Sequence, residues 1–235
     1  MGFTLKEIVP WGRSYAEYID MFALTPAELT HSILGCGDGP AGFNAALSRD
    51  GGQIISVDPL YAFSKEAIAE RIDETFDVVM EQVRNNQRDF VWDTISSIEA
   101  LGKARQGAMD DFLEDYTQGL KKGRYRCESL PRLSFQEHTF ALALCSHLLF
   151  LYSEHLSAAF HLSAIKELCR VSDEVRIFPL LELSGQVSRH LPILLKQLAE
   201  DGYQTKLITV AYEFQKGGNQ MLTVTRVLSR VCGAL

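Results

Sequence analysis

The sequence predicts an α/β fold of three layers, in which helices cover both faces of a seven-stranded, mostly parallel sheet with an antiparallel last strand. Three observations support this prediction. Short apolar runs alternate with helical patterns, the first run stops at a glycine-rich loop, and the chain closes with two strand-like segments joined by a glycine turn. With 46% hydrophobic residues, the chain can form one sizeable core, and we expect a single domain over residues 1–235.

The glycine-rich loop follows the first predicted strand. The apolar run at 32–34 stops at Gly35–Gly39, and Pro40 suits the first position of a helix that Gly51 would end. Glycines let a bulky ligand approach the free N–H groups at a helix N-terminus. The loop residues expected at the ligand are Gly35, Cys36, Gly37, Asp38 and Gly39.

An aspartate ends the second predicted strand, Gln53–Val57. Pro59 biases Asp58 toward extended backbone, so its carboxylate should stand at the carboxyl edge of the sheet, where open α/β sheets bind ligands. A carboxylate there can accept hydrogen bonds from a ribose diol. Asp58 and Pro59 are therefore expected to contact a nucleoside.

The glycines fit two cofactor motifs. Gly37, Gly39 and Gly42 match the dinucleotide motif G-x-G-x-x-G, with Asp58 about 20 residues further on, as an NAD site requires. Gly35, Gly37 and Gly39, followed by that acid, also resemble motif I and the acidic motif of class I S-adenosylmethionine-dependent methyltransferases. The glycines alone do not distinguish the two.

Helical patterns flank this half-site. Residues 1–30 read as a helical cover of the sheet, from which Arg13 and Tyr15 could reach the ligand. Residues 63–122 contain no strand pattern, and a parallel crossover needs only about a dozen residues. We interpret 63–122 as a helical insertion that forms a lid carrying Phe90, Trp92 and Asp93. A homodimer face or plain extra packing is the alternative.

The third and fourth predicted strands, Tyr125–Ser129 and Ala141–Cys145, strengthen the methyltransferase resemblance. Residues 133–142 resemble the family's loop L-P-F-x-x-x-x-F-D-L before strand four. The sequence departs from the family in three places. Ile33 stands where an acid is common, Ala141 replaces the aspartate of strand four, and the acid on the adenine side is displaced to Glu128 or Ser129.

The end of the chain separates the two cofactor families. A fifth strand is predicted at Glu174–Leu180, and Tyr203–Val210 and Gln220–Val227 then form an antiparallel hairpin around a glycine turn. A dinucleotide-binding half would continue in parallel units and need a further catalytic domain. Over residues 30–228 the chain therefore resembles a class I methyltransferase of Rossmann-like fold, in an uncharacterised bacterial branch.

This resemblance implies S-adenosylmethionine as cofactor. Its methionine would lie over Gly35–Gly39, its ribose on Asp58, and its adenine beside Tyr61 or Phe63. Further cofactor contacts are implied for Glu128, Ser129, Leu130, Cys145 and Ser146. His147 is the candidate general base, because an ordinary histidine pKa of about 6.5 suits proton removal near neutrality. The alternative is that His147 only caps the strand and touches the cofactor.

The composition limits which substrates, metals and cellular locations are expected for this protein. The net charge of −7, without a long basic run, argues against a nucleic-acid substrate. The sequence also lacks the Asn-Pro-Pro-aromatic signature of enzymes that methylate amino groups of nucleic acids, which favours a small-molecule or protein acceptor, with a small molecule the first choice. The five cysteines lack a C-x-x-C pair, which indicates free thiols, and no histidine spacing suggests a metal. No stretch approaches the ~20 apolar residues of a membrane span, so a cytoplasmic location is expected.

Three functions stay open at this point. The first is methyl transfer to a small molecule, and the second is a protein that binds S-adenosylmethionine without transferring its methyl group. The third, an NAD-dependent oxidoreductase, is disfavoured by the closing hairpin.

Overall fold

The computed structural model describes residues 9–227 of the chain. Its seven strands are β1 Ser32–Cys36, β2 Gln53–Val57, β3 Tyr125–Arg126, β4 Phe140–Ser146, β5 Ser172–Phe178, β6 Tyr203–Thr209 and β7 Gln220–Arg226. They form one sheet in the order β3-β2-β1-β4-β5-β7-β6. Neighbours from β3 to β5 pair in parallel, whereas β7 is antiparallel to both β5 and β6. The predicted fold class, including the antiparallel last strand, is confirmed.

Helices cover both faces of the sheet. They are α1 Tyr15–Phe22, α2 Phe43–Arg49, α3 Lys65–Asn85, α4 Ile98–Lys121, α5 Ala158–Val171 and α6 Leu191–Glu200. Side chains alternate between the two faces along each buried strand, as the pleat requires. In β1, Ile33 packs beneath α1 and α2, whereas the next residue, Leu34, packs toward α5.

Several boundaries differ from the prediction. Strand β3 stops at Arg126 instead of Ser129, because Glu128 bonds back to the Arg126 carbonyl and leaves the sheet edge. Helix α2 begins at Phe43, so Pro40 belongs to the loop and not to the first helical turn. Helix α5 begins at Ala158, where the Ser157 hydroxyl caps it.

The helical insertion between β2 and β3 consists of two long helices. The hydroxyls of Ser64 and Ser97 cap α3 and α4, and α4 packs against α2 while α3 packs on α4. The chain between the two helices is bonded to the β6–β7 loop: Val91 N–H donates to the Phe214 carbonyl (2.7 Å) and Lys216 N–H to the Asp89 carbonyl (3.0 Å).

Four cysteines fall within the described residues, and all four are free. Cys36, Cys145 and Cys169 are buried, whereas Cys127 is exposed. Cys232 lies outside the described residues.

A buried ion pair joins α1 to α4. Both oxygens of Glu17 accept from Arg105 (2.6 and 2.7 Å), and the Tyr212 hydroxyl donates to the same carboxylate (2.8 Å). The Arg105 side chain is fully buried. A charge at such a site depends strongly on its partner, because water cannot replace the lost interaction.

We expect Glu17→Gln to lower the free energy of unfolding by about 3–5 kcal/mol, because the buried Arg105 charge loses its partner. Urea denaturation measures this loss. The matched control is Glu200→Gln in the exposed Lys196–Glu200 pair, which should change stability by less than about 0.5 kcal/mol. A Glu17→Gln protein as stable as wild type would show that this pair does not hold α4 on α1.

Candidate functional site

A cavity of about 760 Å³ opens at the carboxyl ends of β1, β2 and β4. The glycine loop and the start of the segment after β2 form its inner wall. Helix α3, the chain at 148–160 and the β6–β7 loop also line the cavity, together with residues before α1, the corner at 128–130 and the segment that follows β5. A volume of this size is within the usual range for small-molecule and cofactor sites.

The glycine loop has a backbone that side chains would disturb. Gly37 and Gly39 both adopt positive φ, at +70° and +53°. A Cβ on Gly37 would stand 2.8 Å from the Leu148 side chain, whereas a Cβ on Gly39 would meet nothing within 4 Å. The loop therefore presents bare backbone to the cavity.

Asp38 supports this loop from below. Its carboxylate accepts hydrogen bonds from the Tyr18 hydroxyl (2.8 Å) and the Ser56 hydroxyl (2.6 Å). A Cβ on Gly35 would lie 1.8 Å from the same carboxylate, so Gly35 provides the space that Asp38 fills. Asp38 reaches the cavity wall, but its carboxylate is committed to the protein. Gly35 and the Asp38 carboxylate therefore support the loop, and the ligand contacts predicted for these two residues stay predictions.

Burial raises the pKa of the Asp38 carboxyl to about 6, and the nearby charge of Asp58 acts in the same direction. The hydrogen bonds from Ser56 and Tyr18 oppose this shift of the pKa. The Asp38 carboxyl therefore gains or loses its proton near pH 6.

Asp58 lies on the cavity wall at the end of β2, as predicted. One carboxylate oxygen accepts from the Gly39 N–H (3.0 Å) and the other from the Leu60 N–H (2.8 Å). A carboxylate has about four acceptor positions, so two remain for a ligand. Burial raises the pKa of Asp58, while the two backbone hydrogen bonds lower it.

The residues predicted beside the adenine separate into two groups. Phe63 is exposed and lies on the cavity wall, with Pro59, Glu128, Ser129 and Leu130. Tyr61 is buried, and its hydroxyl donates to the Gly39 carbonyl (2.8 Å). Tyr61 therefore holds the loop from the side, and Phe63 is the aromatic residue available to a ligand.

The end of β4 places only one of its three candidate residues on the cavity. Cys145 and Ser146 are buried behind the wall, so their predicted cofactor contacts are corrected. His147 lines the cavity with a φ of +50°, and its N–H donates to the Phe178 carbonyl (2.7 Å). Its Nδ1 lies 3.0 Å from the Ser146 hydroxyl.

The electrostatics at His147 differ from the sequence prediction. Burial lowers its pKa well below the ordinary value, and the positive charges of Arg13 and Arg105 lower it further. The imidazole is therefore neutral at physiological pH. A neutral ring can accept a proton, but with such a pKa it is a weaker base than the sequence suggested.

The lid residues predicted near the ligand are only partly at the cavity. Phe90 lines it, whereas Trp92 and Asp93 do not. The Trp92 ring packs on Phe214, and its Nε1–H donates to the Gln87 carbonyl (2.9 Å).

Other wall residues were not predicted. The largest group comes from one face of α3, and its members include Ile68, Val79 and Val83. The amphipathic pattern of 65–85 was a signal that this helix had an apolar face, but not that part of the face meets a ligand. In the described part of the chain, no group of three or more His, Cys, Asp or Glu side chains is placed to hold a metal ion.

We expect Asp38 to make the protein less stable as the pH rises from 4 to 7. Its folded pKa is raised above the unfolded value near 3.8, so its contribution to stability is complete below that value and is lost through pH 6. Relative to Asp38→Asn, the free energy of unfolding of wild type should fall by on the order of 2–3 kcal/mol over this range. Urea denaturation at each pH measures it. The exposed Asp50→Asn is the control, and identical pH slopes in wild type and Asp38→Asn would contradict the assignment.

Comparisons with known proteins gave one relative in sequence and many in structure. No family model matches the chain. The uncharacterised protein MJ0045 of Methanocaldococcus jannaschii is 34% identical over 224 residues, which are 95% of this chain and 98% of that protein. The bacterial branch named from the sequence stays a prediction.

Solved structures similar to this chain include magnesium protoporphyrin IX methyltransferase from Synechocystis PCC 6803 with bound SAM, at 11% identity and a TM-score of 0.46, covering 86% of this chain and 73% of that one. The methyltransferase domain of bacterial CtHen1-CN has 13% identity and a TM-score of 0.47, with 85% and 92% covered. A SAM-dependent methyltransferase of Methanosarcina mazei has 12% identity and a TM-score of 0.43, with 87% and 99% covered. The sequence similarity over nearly the whole of both chains shows that this protein belongs to the family of MJ0045.

Proposed function

We propose that this protein binds S-adenosylmethionine and transfers its methyl group to a small-molecule acceptor. One observation carries the proposal: a bare glycine loop and Asp58 lie side by side, joined by the Gly39–Asp58 hydrogen bond, and both open on one large cavity. The antiparallel β7 supports the same reading, because it is typical of the class I methyltransferases that the sequence resembles.

The residues present fit the cofactor. A side chain at Gly39 would project into open space, so its absence leaves room for a ligand against the backbone. The methionine portion would lie over Gly37–Gly39, and the ribose hydroxyls would use the free acceptor positions of Asp58. The adenine would lie between Phe63 and the corner at 128–130.

The bound cofactor would supply an activated methyl group on a sulfonium. The protein's part is to hold donor and acceptor in line and to exclude water, and such positioning is worth up to ~7–11 kcal/mol. Apolar residues of α3 and the β6–β7 loop, such as Val79, Val83 and Phe214, line the cavity and would limit the access of water to the reacting atoms. His147 lies at the end of β4, where a neutral Nε2 would accept a hydrogen bond or a proton from the acceptor when Nδ1 carries the ring proton.

Two specific observations favour a second candidate, a cofactor-binding protein without transfer activity. Ile33 and Ala141 stand at positions where the resembled family has acids. The lowered pKa of His147 also removes basicity from the one histidine at the site. An NAD-dependent oxidoreductase is the weaker third candidate, because the sheet ends in an antiparallel strand.

The kind of acceptor, the location and the oligomeric state are also part of the proposal. The net charge of −7 and the concave site favour a small-molecule acceptor over nucleic acid. Within residues 9–227, none of the helices combines the length and apolar character needed to cross a membrane. A cytoplasmic location and a homodimer stay predictions.

Calorimetry with S-adenosylhomocysteine tests the cofactor. We expect wild type to bind it and Asp58→Ala to bind about tenfold to hundredfold more weakly, because a charge-assisted hydrogen bond to the ribose is lost. The control is Asp93→Ala, which changes an exposed aspartate outside the cavity and should leave the Kd unchanged.

Binding of NAD but not of S-adenosylhomocysteine would refute the proposal. Transfer of a labelled methyl group to a metabolite extract then separates an enzyme from a binding module. If no labelled product forms when the protein is saturated with cofactor, the result would favour a cofactor-binding protein without transfer activity.

A further inference from the structure

Three polar side chains on the cavity wall come from separate parts of the chain: Arg13, His147 and Tyr152. The charge of Arg13 lowers the pKa of His147 and opposes the rise that burial causes in the pKa of Tyr152, so Arg13 interacts electrostatically with both. The cavity is also lined by carboxylates, such as Asp58 and Glu74, and by many apolar residues, among them Val79, Val83, Phe90, Phe160, Leu183 and Phe214.

Arg13 has no anionic partner among residues 9–227. Its Nη1 donates to the Trp11 carbonyl (2.7 Å), and its enclosed Nε has no hydrogen-bond partner within that range. The carboxylate that influences it, Glu17, is already bound at both oxygens by Arg105. Two guanidinium groups therefore share one carboxylate, and one positive charge is left uncompensated beside the cavity. An anion bound there would offset the cost of burying that charge.

The two neighbours of Arg13 also have free polar atoms. In the described chain, neither the Tyr152 hydroxyl nor His147 Nε2 has a hydrogen-bond partner, although both side chains face the cavity. Tyr152 supplies an O–H donor, and Arg13 supplies N–H donors with a full charge. Hydrogen-bond donors such as these, in a part of the wall that is shielded from water, favour the binding of a negatively charged oxygen.

We propose that the methyl acceptor is a bulky, mostly apolar molecule with one acidic oxygen, which Arg13 binds as an oxyanion with Tyr152 and His147 beside it. This inference rests on the proposed function and names the chemical class of its substrate. The acceptor hydroxyl first loses its proton to water. A lone pair of the oxyanion would then form the new O–C bond to the methyl group of a bound cofactor, and the electron pair of the broken C–S bond would stay on sulfur as a neutral thioether.

The same oxyanion chemistry has a second source, the carboxylate of the cofactor itself. The two sources differ in what they require of Arg13. A cofactor role makes Arg13 necessary for S-adenosylhomocysteine but not for 5′-methylthioadenosine, which lacks the amino-acid portion. An acceptor role makes Arg13 necessary for an anionic apolar molecule when the cofactor site is already filled.

The test uses two fluorescent probes on full-length protein saturated with S-adenosylhomocysteine. One probe, 1-anilinonaphthalene-8-sulfonate, is apolar with one negative charge, and the other, N-phenyl-1-naphthylamine, is similar in shape but uncharged. We expect Arg13→Met to weaken sulfonate binding at least about tenfold and naphthylamine binding less than about twofold. Arg13→Lys keeps the charge and should retain most of the sulfonate affinity. Arg71→Met is the control, because Arg71 also lines the cavity but is paired with Glu74.

Three results would overturn the proposal. The first is an unchanged sulfonate affinity in Arg13→Met, and the second is an equal loss for both probes, which would indicate a structural role. The third is a tenfold loss of S-adenosylhomocysteine binding with 5′-methylthioadenosine unaffected, which would assign Arg13 to the cofactor. Failure of wild type to bind S-adenosylhomocysteine is measured separately and refutes the proposed function instead.

A second variant keeps the test decisive if Arg13→Met does not fold. Tyr152→Phe removes one hydroxyl from the wall and should weaken sulfonate binding about threefold, without changing naphthylamine binding. An unchanged sulfonate affinity in Tyr152→Phe would then overturn the oxyanion site, with Arg71→Met again as the control.

Discussion

The hydrogen bond from the Gly39 amide to the Asp58 carboxylate is the interaction on which the site depends. It ties the loop after β1 to the end of β2, so the backbone that would face a cofactor and the acid that would grip its sugar have one fixed relation. Asp38 completes this arrangement from below through Tyr18 and Ser56. Two neighbouring aspartates therefore have different tasks: one anchors the loop, and the other is left with free acceptor positions at the cavity.

The features predicted correctly are those that short stretches of sequence determine. Strand β2 was predicted with the bounds it has, and the closing hairpin was found, because apolar alternation and turn glycines act locally. The early end of β3 was missed, because an edge strand is limited by its neighbour and not by its own residues. The start of α2 was missed because the loop, and not Pro40, decides where the helix begins.

The chemistry of the site was harder to predict, since it arises from residues far apart in sequence. Asp38 was taken as a ligand contact, but Tyr18 and Ser56 arrive from two other elements and occupy its carboxylate. The sequence predicts a base of ordinary pKa at His147, but burial lowers that pKa, and the charges of Arg13 and Arg105 lower it further. In both cases the sequence identified the residue, and the tertiary structure determined its charge state.

The backbone bonds between 89–91 and 214–216 connect the middle of the chain to its last hairpin. During synthesis on a ribosome, residues 89–91 emerge long before their partners exist. The outer rim of the cavity can therefore close only after the hairpin has been synthesised, because each segment supplies the hydrogen-bond partners of the other. The ability to enclose a ligand thus depends on two segments that are far apart in the chain.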